Sequence, residues 1–263
     1  MKRYLKIGIL SIVGICLIYG INRFVTRKVE DPNSQEVVLN KTTAKSNKKQ
    51  QNKSKKADKG LPDVSSKDWS LILVGPDQPL EKDISSDQLS YIPNTNMQLD
   101  KRVIKSYEQF SKAASQAGYP LVIISAYRSI SEQEQIFNER VAQYKNQAMD
   151  DKKAKNKTKE TSTEPGHSEH HTGLALDIVD ENWQQSYPQT VLEEGFGKED
   201  SAKWLAEHAS DYGFILRYPK GKEDITKINY EPWHFRYVGK ENAKYIEENE
   251  LTLEEYLDQL NEK

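Results

Sequence analysis

The sequence predicts a folded domain over residues 67–263 that mixes α-helices with short β-strands. Short apolar runs bounded by glycine, proline or polar residues are typical of buried strands, and they occur at 121–125, 174–179, 214–217 and 233–238. Longer segments repeat apolar residues at helical spacing, and they occur at 99–117, 131–144 and 200–212. Such alternation is compatible with a parallel sheet, so the pattern alone leaves α/β and α+β open.

Local features support these elements and add smaller ones. The helix over 99–117 ends before Gly118 and carries an apolar face formed by Val103, Ile104, Tyr107 and Phe110. Ser131 with Glu134 predicts a capping box for the next helix, and Thr252 with Glu255 predicts one for a C-terminal helix. We also expect a short strand at 70–74 and a polar loop at 146–166, which could act as a mobile lid.

The first 66 residues are predicted to lie outside the folded domain. Lys2, Arg3 and Lys6 precede an apolar run at 7–21, an order typical of membrane targeting. No small-residue cleavage site follows, so residues 1–28 predict an uncleaved single-pass anchor, within which lies the only cysteine, Cys16. Residues 29–66 are polar and rich in lysine, which predicts a disordered linker.

The distribution of charge along the chain argues against one class of partner, nucleic acids. The chain has a formal net charge of -2, and the linker stretch 41–59 contains eight lysines against one acidic residue, Asp58. The folded part is therefore acidic on balance, which argues against a nucleic-acid partner. We expect the folded domain to act outside the cell, at the membrane.

Two short segments carry residue types that bind zinc. The first, 168–177, contains histidines and ends at Asp177, and the second runs from Glu231 to His234. A catalytic zinc usually has three protein ligands and leaves a fourth position for water. Asp177 and His234 would supply two ligands, and the third would be one of three neighbouring histidines: His167, His170 or His171.

Other residues near these segments have different predicted roles. Gly173 lets the loop turn back beside the strand that carries Asp177. The turn at Pro232 disfavours Glu231 as a fourth ligand, so Glu231 is predicted to be the general base. We expect His208 to be a packed helix residue and Asp180 to be exposed to solvent.

The motifs Ser-x-His-x-x-Gly-x-Ala-x-Asp at 168–177 and Glu-x-Trp-His at 231–234 resemble those of the zinc D-alanyl-D-alanine carboxypeptidases of bacterial cell walls. This family includes VanY-type and L,D-carboxypeptidases, and the segments 125–133 and 213–219 fit it as well. The resemblance selects His170 as the remaining zinc ligand. It also implies an α+β fold of the hedgehog/DD-peptidase type, with a small, mainly antiparallel sheet flanked by helices.

The same resemblance implies how substrate is held. Arg128 and Gln133 would bind the free carboxylate of a peptide, and Ser168 would face the same group. A planar guanidinium suits this task because it binds a carboxylate through two parallel hydrogen bonds. The run at 121–125 places Arg128 at the end of a buried strand.

The expected function is therefore that of a membrane-anchored Zn²⁺ carboxypeptidase, monomeric and from a Gram-positive bacterium. It would remove the C-terminal D-alanine from peptidoglycan stem peptides. The segments 69–77 and 125–133 look most like those of L,D-enzymes, which act on tetrapeptides; the alternative is a D,D-enzyme acting on pentapeptides. A non-catalytic wall-binding module would have no need of Glu231, and Arg128 argues against an endopeptidase.

Overall fold

The structure is a computed structural model that describes residues 60–159 and 162–263. The predicted anchor at 1–28 and the linker residues 29–59 lie outside the described residues. Leu61 and Val64, which the sequence places in the linker, pack against the apolar cluster around the C-terminal helices. Among the helices of the described ranges, none has both the length and the apolar character needed to span a bilayer.

The described residues contain six strands, eight α-helices and several short 3₁₀ turns. In chain order the elements are β1 Leu89–Tyr91, β2 Gln98–Asp100, α1 Ile104–Gln116, β3 Leu121–Ser125, α2 Ile130–Asn146, α3 Asp151–Lys159, β4 Ala175–Asp180, α4 Glu181–Ser186, α5 Asp200–His208, β5 Phe214–Leu216, α6 Glu223–Thr226, β6 His234–Tyr237, α7 Lys240–Glu248 and α8 Leu253–Asn261. The four predicted strands and three predicted helices at 99–117, 131–144 and 200–212 all have counterparts in this list.

The central sheet has four strands in the order β3-β4-β6-β5, and every neighbouring pair is antiparallel. Strands β1 and β2 form a separate antiparallel hairpin. The α+β fold with small antiparallel sheets flanked by helices is thus confirmed, and a parallel sheet is excluded for the described residues.

An aromatic cluster around Phe110 of α1 covers one face of the sheet. The ring centroid of Phe110 lies 5.3 Å from that of Tyr212, 5.8 Å from that of Phe214 and 5.9 Å from that of Phe235. Burying a side chain of this size contributes roughly 1.5–3 kcal/mol. Since side chains alternate along a strand, Phe235 in this core leaves its neighbours in β6 to face the other side of the sheet.

A second apolar cluster covers part of that other face. It joins the 3₁₀ turn Trp69–Leu71 to β5 and to helices α7 and α8, and its buried members include Leu71, Ile215, Val238, Ile246 and Tyr256. The Thr252–Glu255 capping box of α8 is present as predicted. The polar groups of the candidate site lie on the remaining part of this face.

The strand predicted at 70–74 is wrong. Trp69–Leu71 is a 3₁₀ turn, and the following residues are not paired in a sheet. The carbonyl oxygens of Ser70 and Ile72 instead accept hydrogen bonds from the Arg236 guanidinium, at 3.0 and 2.7 Å. A buried arginine thus takes the place of a neighbouring strand.

The polar segment 146–166 is not simply a loop, because it contains α3. This helix buries Ala154, which packs with Phe137 and Val141 of α2. The capping box of α2 also differs from the expected one: Ser129 and Glu132 form it, two residues before Ser131 and Glu134. Both pairs match the Ser-x-x-Glu pattern, so the sequence could not decide between them.

Candidate metal centre and active site

The site begins with the register of the central sheet. Asp177 of β4 is the direct partner of both Ser125 in β3 and His234 in β6. These three residues form one row across the sheet, on the face opposite Phe235. A register shift between Ile123 and Ser125 accompanies the row, and irregularities of this kind often re-aim side chains next to functional sites.

His170 reaches this row from a 3₁₀ turn, Glu169–Thr172, which ends at Gly173 in the left-handed conformation with φ +66°. A Cβ atom at Gly173 would lie 3.0 Å from the backbone nitrogen of Asp100, so a larger residue would be both strained and crowded. The Nδ1 atom of His170 donates to the carbonyl of Ala126 at 2.7 Å. This bond orients the ring so that Nε2 lies 3.2 Å from Asp177 Oδ2.

The structure brings His170, Asp177 and His234 together as one buried cluster. One ligand atom from each residue lies within 4.8 Å of the others, and His234 Nδ1 is 2.9 Å from Asp177 Oδ1. Two imidazole nitrogens and one carboxylate oxygen are a donor set that suits zinc with a fourth position open. These three residues therefore fit a catalytic zinc by their chemistry and spacing.

The electrostatics of the cluster favour a cation. Burial acts to lower the pKa of His234, but hydrogen bonds with Asp177 and Glu169 outweigh it and raise the pKa to about 10. Burial lowers the pKa of His170, which favours the neutral ring that binds metal. The negative potential that draws a proton to His234 equally attracts a divalent metal ion.

Glu231 lies beside this cluster, at the start of the tight turn that leads to His234. Its backbone carbonyl accepts a hydrogen bond from the His234 N–H at 3.2 Å, and its Oε2 is 3.7 Å from His234 Nδ1. Burial raises the pKa of Glu231 to about 7, even though its side chain remains 29% exposed. A carboxyl group with a pKa near neutrality and access to solvent can exchange protons at physiological pH.

Two side chains hold the guanidinium of Arg128, which follows the C-terminal end of β3. Its Nη2 donates to Ser125 Oγ at 2.8 Å, and its Nη1 donates to Gln133 Oε1 at 2.5 Å. Burial lowers the pKa of Arg128, and the charges of Asp177 and Glu231 partly offset this effect. Since a guanidinium has five N–H donors, these contacts leave donors for a carboxylate.

Gln133 is almost fully buried and links Arg128 to the segment after α3. Its Nε2 donates to the carbonyl of Thr163 at 2.6 Å and to Ser162 Oγ at 3.2 Å. Gln133 therefore fixes the position of Arg128 within the described structure. Ser125, the strand partner of Asp177, also fixes the position of Arg128, through the other terminal nitrogen of the guanidinium. It was not identified from the sequence.

Ser168 occupies the N-terminal cap position of the turn that carries His170. It is buried, and its side chain makes no cap hydrogen bond, whereas its carbonyl accepts from the backbone of His171 at 3.1 Å. The hydroxyl is thus not used by the turn itself.

The other histidines have structural contacts. His171 donates from Nδ1 to the carbonyl of Arg128 at 2.8 Å, and its Nε2 accepts from the Gly166 N–H at 3.1 Å. His167 Nδ1 lies 3.0 Å from the carbonyl of Gly75. His208 bonds to the carbonyl of Trp204 and stacks on its ring, as expected of a packed helix residue.

The predicted exposure of Asp180 is wrong. Asp180 is buried, and its Oδ1 accepts from the backbone N–H groups of Asn182 and Trp183, which caps α4. Its Oδ2 accepts from Ser201 Oγ at 2.6 Å. An aspartate just before a helical segment is a favoured cap, and this signal was present in the sequence.

The sequence interpretation also missed a buried group of charges beside the metal cluster. The side chain of Glu169 is fully buried and pairs with Arg217 and Arg236, each at 2.7 Å. Burial acts to raise the pKa of Glu169, but the two guanidinium groups outweigh it and hold the pKa well below its usual range. Arginines at inward-facing positions of apolar strands could have indicated a buried carboxylate, because such charges are rarely buried unpaired.

Comparison with known proteins identifies the family. The VanY family, described as D-alanyl-D-alanine carboxypeptidase, matches residues 96–240. YodJ of Bacillus subtilis, which is named as a carboxypeptidase, is 39% identical over 215 residues, covering 78% of this chain and 73% of its own length. Two solved structures are similar over most of the described residues. The LdcB LD-carboxypeptidase has a TM-score of 0.60 and 39% identity, covering 71% of this chain and 84% of that one.

The second structure is a mutant of the vancomycin-resistance D,D-pentapeptidase VanY in complex with Zn(II). It also has a TM-score of 0.60, with 34% identity over 72% of this chain and 99% of that one. These findings confirm the resemblance inferred from the motifs at 168–177 and 231–234. The chain belongs to the VanY family of D-alanyl-D-alanine carboxypeptidases and is a metallocarboxypeptidase.

Proposed function

We propose that this protein removes the C-terminal D-alanine from peptidoglycan stem peptides at the site formed by His170, Asp177 and His234. The observation that carries the proposal is the convergence of three functions on one face of the sheet. A buried metal-binding donor set, a carboxyl group with a pKa near neutrality and a half-buried guanidinium with free donors lie side by side. A metal-dependent enzyme that cuts at a free carboxyl terminus needs all three.

His170, Asp177 and His234 would hold Zn²⁺. The metal would lower the pKa of a bound water and polarise the scissile carbonyl. The protein's own contribution is to fix the ligands: the Ala126 carbonyl orients His170, and strand pairing aligns Asp177 with His234.

Glu231 would act as the general base and then as the general acid. Its carboxylate would take a proton from the attacking water and pass it to the amine that leaves with the terminal residue. Its position next to His234 and its 29% exposure suit this exchange, since the group contacts the metal cluster and is accessible to solvent.

Arg128 would bind the terminal carboxylate of the substrate. Ser125 and Gln133 already hold its guanidinium in place, so little side-chain entropy is lost when the substrate binds. We propose that Gln133 acts mainly through this contact and that the Ser168 hydroxyl adds a hydrogen bond to the same carboxylate. An endopeptidase would have no carboxylate for Arg128 to bind.

We further propose that the tetrapeptide is the preferred substrate, which would make the enzyme an L,D-carboxypeptidase. The similarity to LdcB, at 39% identity, supports this choice. The D,D-pentapeptidase VanY is nearly as similar, at 34%, and supports the alternative, action on the pentapeptide. Membrane anchoring through residues 1–28, an extracellular active site and a monomeric state also remain proposals.

The test uses the purified full-length protein with Zn²⁺ and, in separate reactions, a tetrapeptide and a pentapeptide stem. Mass spectrometry would identify the products. We expect one alanine to be lost from the tetrapeptide, and no loss with Glu231→Gln. Loss only from the pentapeptide would assign the enzyme to the D,D class. No loss from either peptide by a protein with bound zinc would contradict the catalytic proposal and favour a wall-binding module.

A further inference from the structure

The two carboxylate oxygens of Glu169 contact different partners. Oε1 accepts from Arg217 Nε and from Arg236 Nη1, both at 2.7 Å. Oε2 lies 3.4 Å from Nε2 of His234, the ring nitrogen that is turned away from Asp177. Glu169 therefore touches the metal cluster through His234 alone and is itself not one of the converging donors.

We propose that Glu169 is a positioning residue that fixes the orientation and tautomer of His234. If Oε2 accepts a hydrogen bond from the N–H group at Nε2, the ring proton stays on Nε2 and the free lone pair of the imidazole is on Nδ1. That atom lies 2.9 Å from Asp177 Oδ1 and is the one that would bind zinc. Metal-binding histidines commonly donate their second N–H to a carboxylate, which orients the ring and makes it a stronger ligand. This inference rests on the proposed function, because it requires His234 to be a metal ligand.

The two arginines make Glu169 suitable for this role. Arg217 is anchored by Glu254 of α8 through two hydrogen bonds, at 2.8 and 2.6 Å. Arg236 is anchored by the carbonyls of Ser70 and Ile72. Because both guanidinium groups point at Oε1, the carboxylate cannot rotate without losing a buried ion pair, and Oε2 stays directed at His234.

The two carboxylates that pair with Arg217 allow a positioning role for Glu169 to be distinguished from simple neutralisation of a buried charge. Glu169 and Glu254 are both partners of Arg217, but only Glu169 contacts His234. Glu254→Gln therefore weakens the same buried ion-pair network and leaves the His234 contact in place. It is a matched control for Glu169→Gln, which keeps the size of the side chain and removes its charge.

The experiment measures zinc affinity by competition with a chromophoric chelator, together with thermal stability, for the full-length wild type and both variants. We expect Glu169→Gln to weaken zinc binding by about 10- to 100-fold, the effect typical of losing such a partner. Glu254→Gln should lower the unfolding temperature but keep zinc affinity within about 3-fold of wild type. Equal loss of affinity in both variants, or no loss in Glu169→Gln, would overturn the inference.

A second measurement does not depend on a variant that folds. Nitrogen-15 spectra of the zinc-loaded wild type, labelled at histidine, report which ring nitrogen carries the proton. We expect the proton of His234 on Nε2 and that of His170 on Nδ1. A His234 proton on Nδ1 would overturn the inference although zinc is bound, whereas failure of the wild type to bind zinc would instead contradict the proposed function.

Discussion

Asp177 and His234 are direct partners on neighbouring antiparallel strands, and their side chains meet at 2.9 Å between Oδ1 and Nδ1. Two of the three candidate zinc ligands are thus fixed by the backbone hydrogen bonds of the sheet. Only His170 comes from a turn. A site built on paired strands is held more rigidly than one built on loops, which favours the fixed geometry that metal binding needs.

Replacing Asp177 by Asn should abolish tight zinc binding with little change in side-chain volume. The amide removes the negative charge that balances the cation. We expect zinc affinity to fall by more than about 100-fold, beyond the usual effect of losing an outer contact. Chelator competition measures this, and Asp211→Asn, which alters an exposed pair with Lys244, is the control. Retained affinity in Asp177→Asn would exclude Asp177 as a ligand.

Glu231→Gln should leave zinc binding intact and reduce turnover. The amide cannot accept a proton, so we expect kcat to fall by about 10²- to 10⁴-fold, the range for loss of a general base. Steady-state kinetics on the preferred stem peptide, with zinc content measured in parallel, checks this. A variant with full zinc and unchanged kcat would assign the proton transfer to another group.

The rate should depend on pH through Glu231. The base must be ionised, and burial raises its pKa from 4.5 to about 7, so kcat/KM should fall as the pH is lowered. In the zinc enzyme the nearby cation favours the ionised form. The fall in kcat/KM on the acid side, called the acid limb, should therefore be centred at a pH between these two pKa values of Glu231. A pH profile with no acid limb in this interval would contradict the assignment.

Arg128→Lys should impair binding of the substrate carboxylate. A lysine keeps the charge but cannot form two parallel hydrogen bonds, and it also loses the contacts with Ser125 and Gln133. We expect kcat/KM to fall by about 10- to 150-fold, equivalent to roughly 1.5–3 kcal/mol for a charged hydrogen bond. The control is Arg102→Lys. Arg102 pairs with Asp100 and stacks over Trp69, and this variant should retain full activity.

Gly173→Ala should destabilise the domain through the turn that carries His170. The alanine must adopt φ +66°, and its Cβ lies 3.0 Å from the backbone of Asp100. We expect a loss of about 1–3 kcal/mol in the free energy of unfolding. Gly75→Ala, with nothing within 4 Å of the added Cβ, is the control. Denaturant unfolding would compare them, and equal stability of the two variants would refute the explanation.

The sequence predicted those elements whose local pattern had one interpretation. Apolar runs such as 121–125 became strands, and the Thr252–Glu255 box opened a helix. The segment 70–74 failed because its carbonyls bond to Arg236, a partner distant in sequence. Helix α3 was missed because it buries little apolar surface, chiefly Ala154.

The candidate site, like the fold, could be predicted from the sequence only in part. His170, Asp177 and His234 could be proposed from the motifs because ligand chemistry limits the residue types. Glu169 was overlooked although it is the neighbour of His170. Its role depends on Arg217, which directly follows β5, and on Arg236 of β6. The arginines could have indicated a buried carboxylate, but only tertiary packing decides that Glu169 is that carboxylate.

The short turn Glu169–Thr172 connects the parts of the site through consecutive residues. Glu169 faces His234, His170 enters the metal cluster, and His171 holds the backbone of Arg128. An insertion or deletion of one residue here would rotate all three side chains at once. The length of this turn is therefore constrained by three contacts at once, and a change in its length would disturb the metal cluster and the position of Arg128 together.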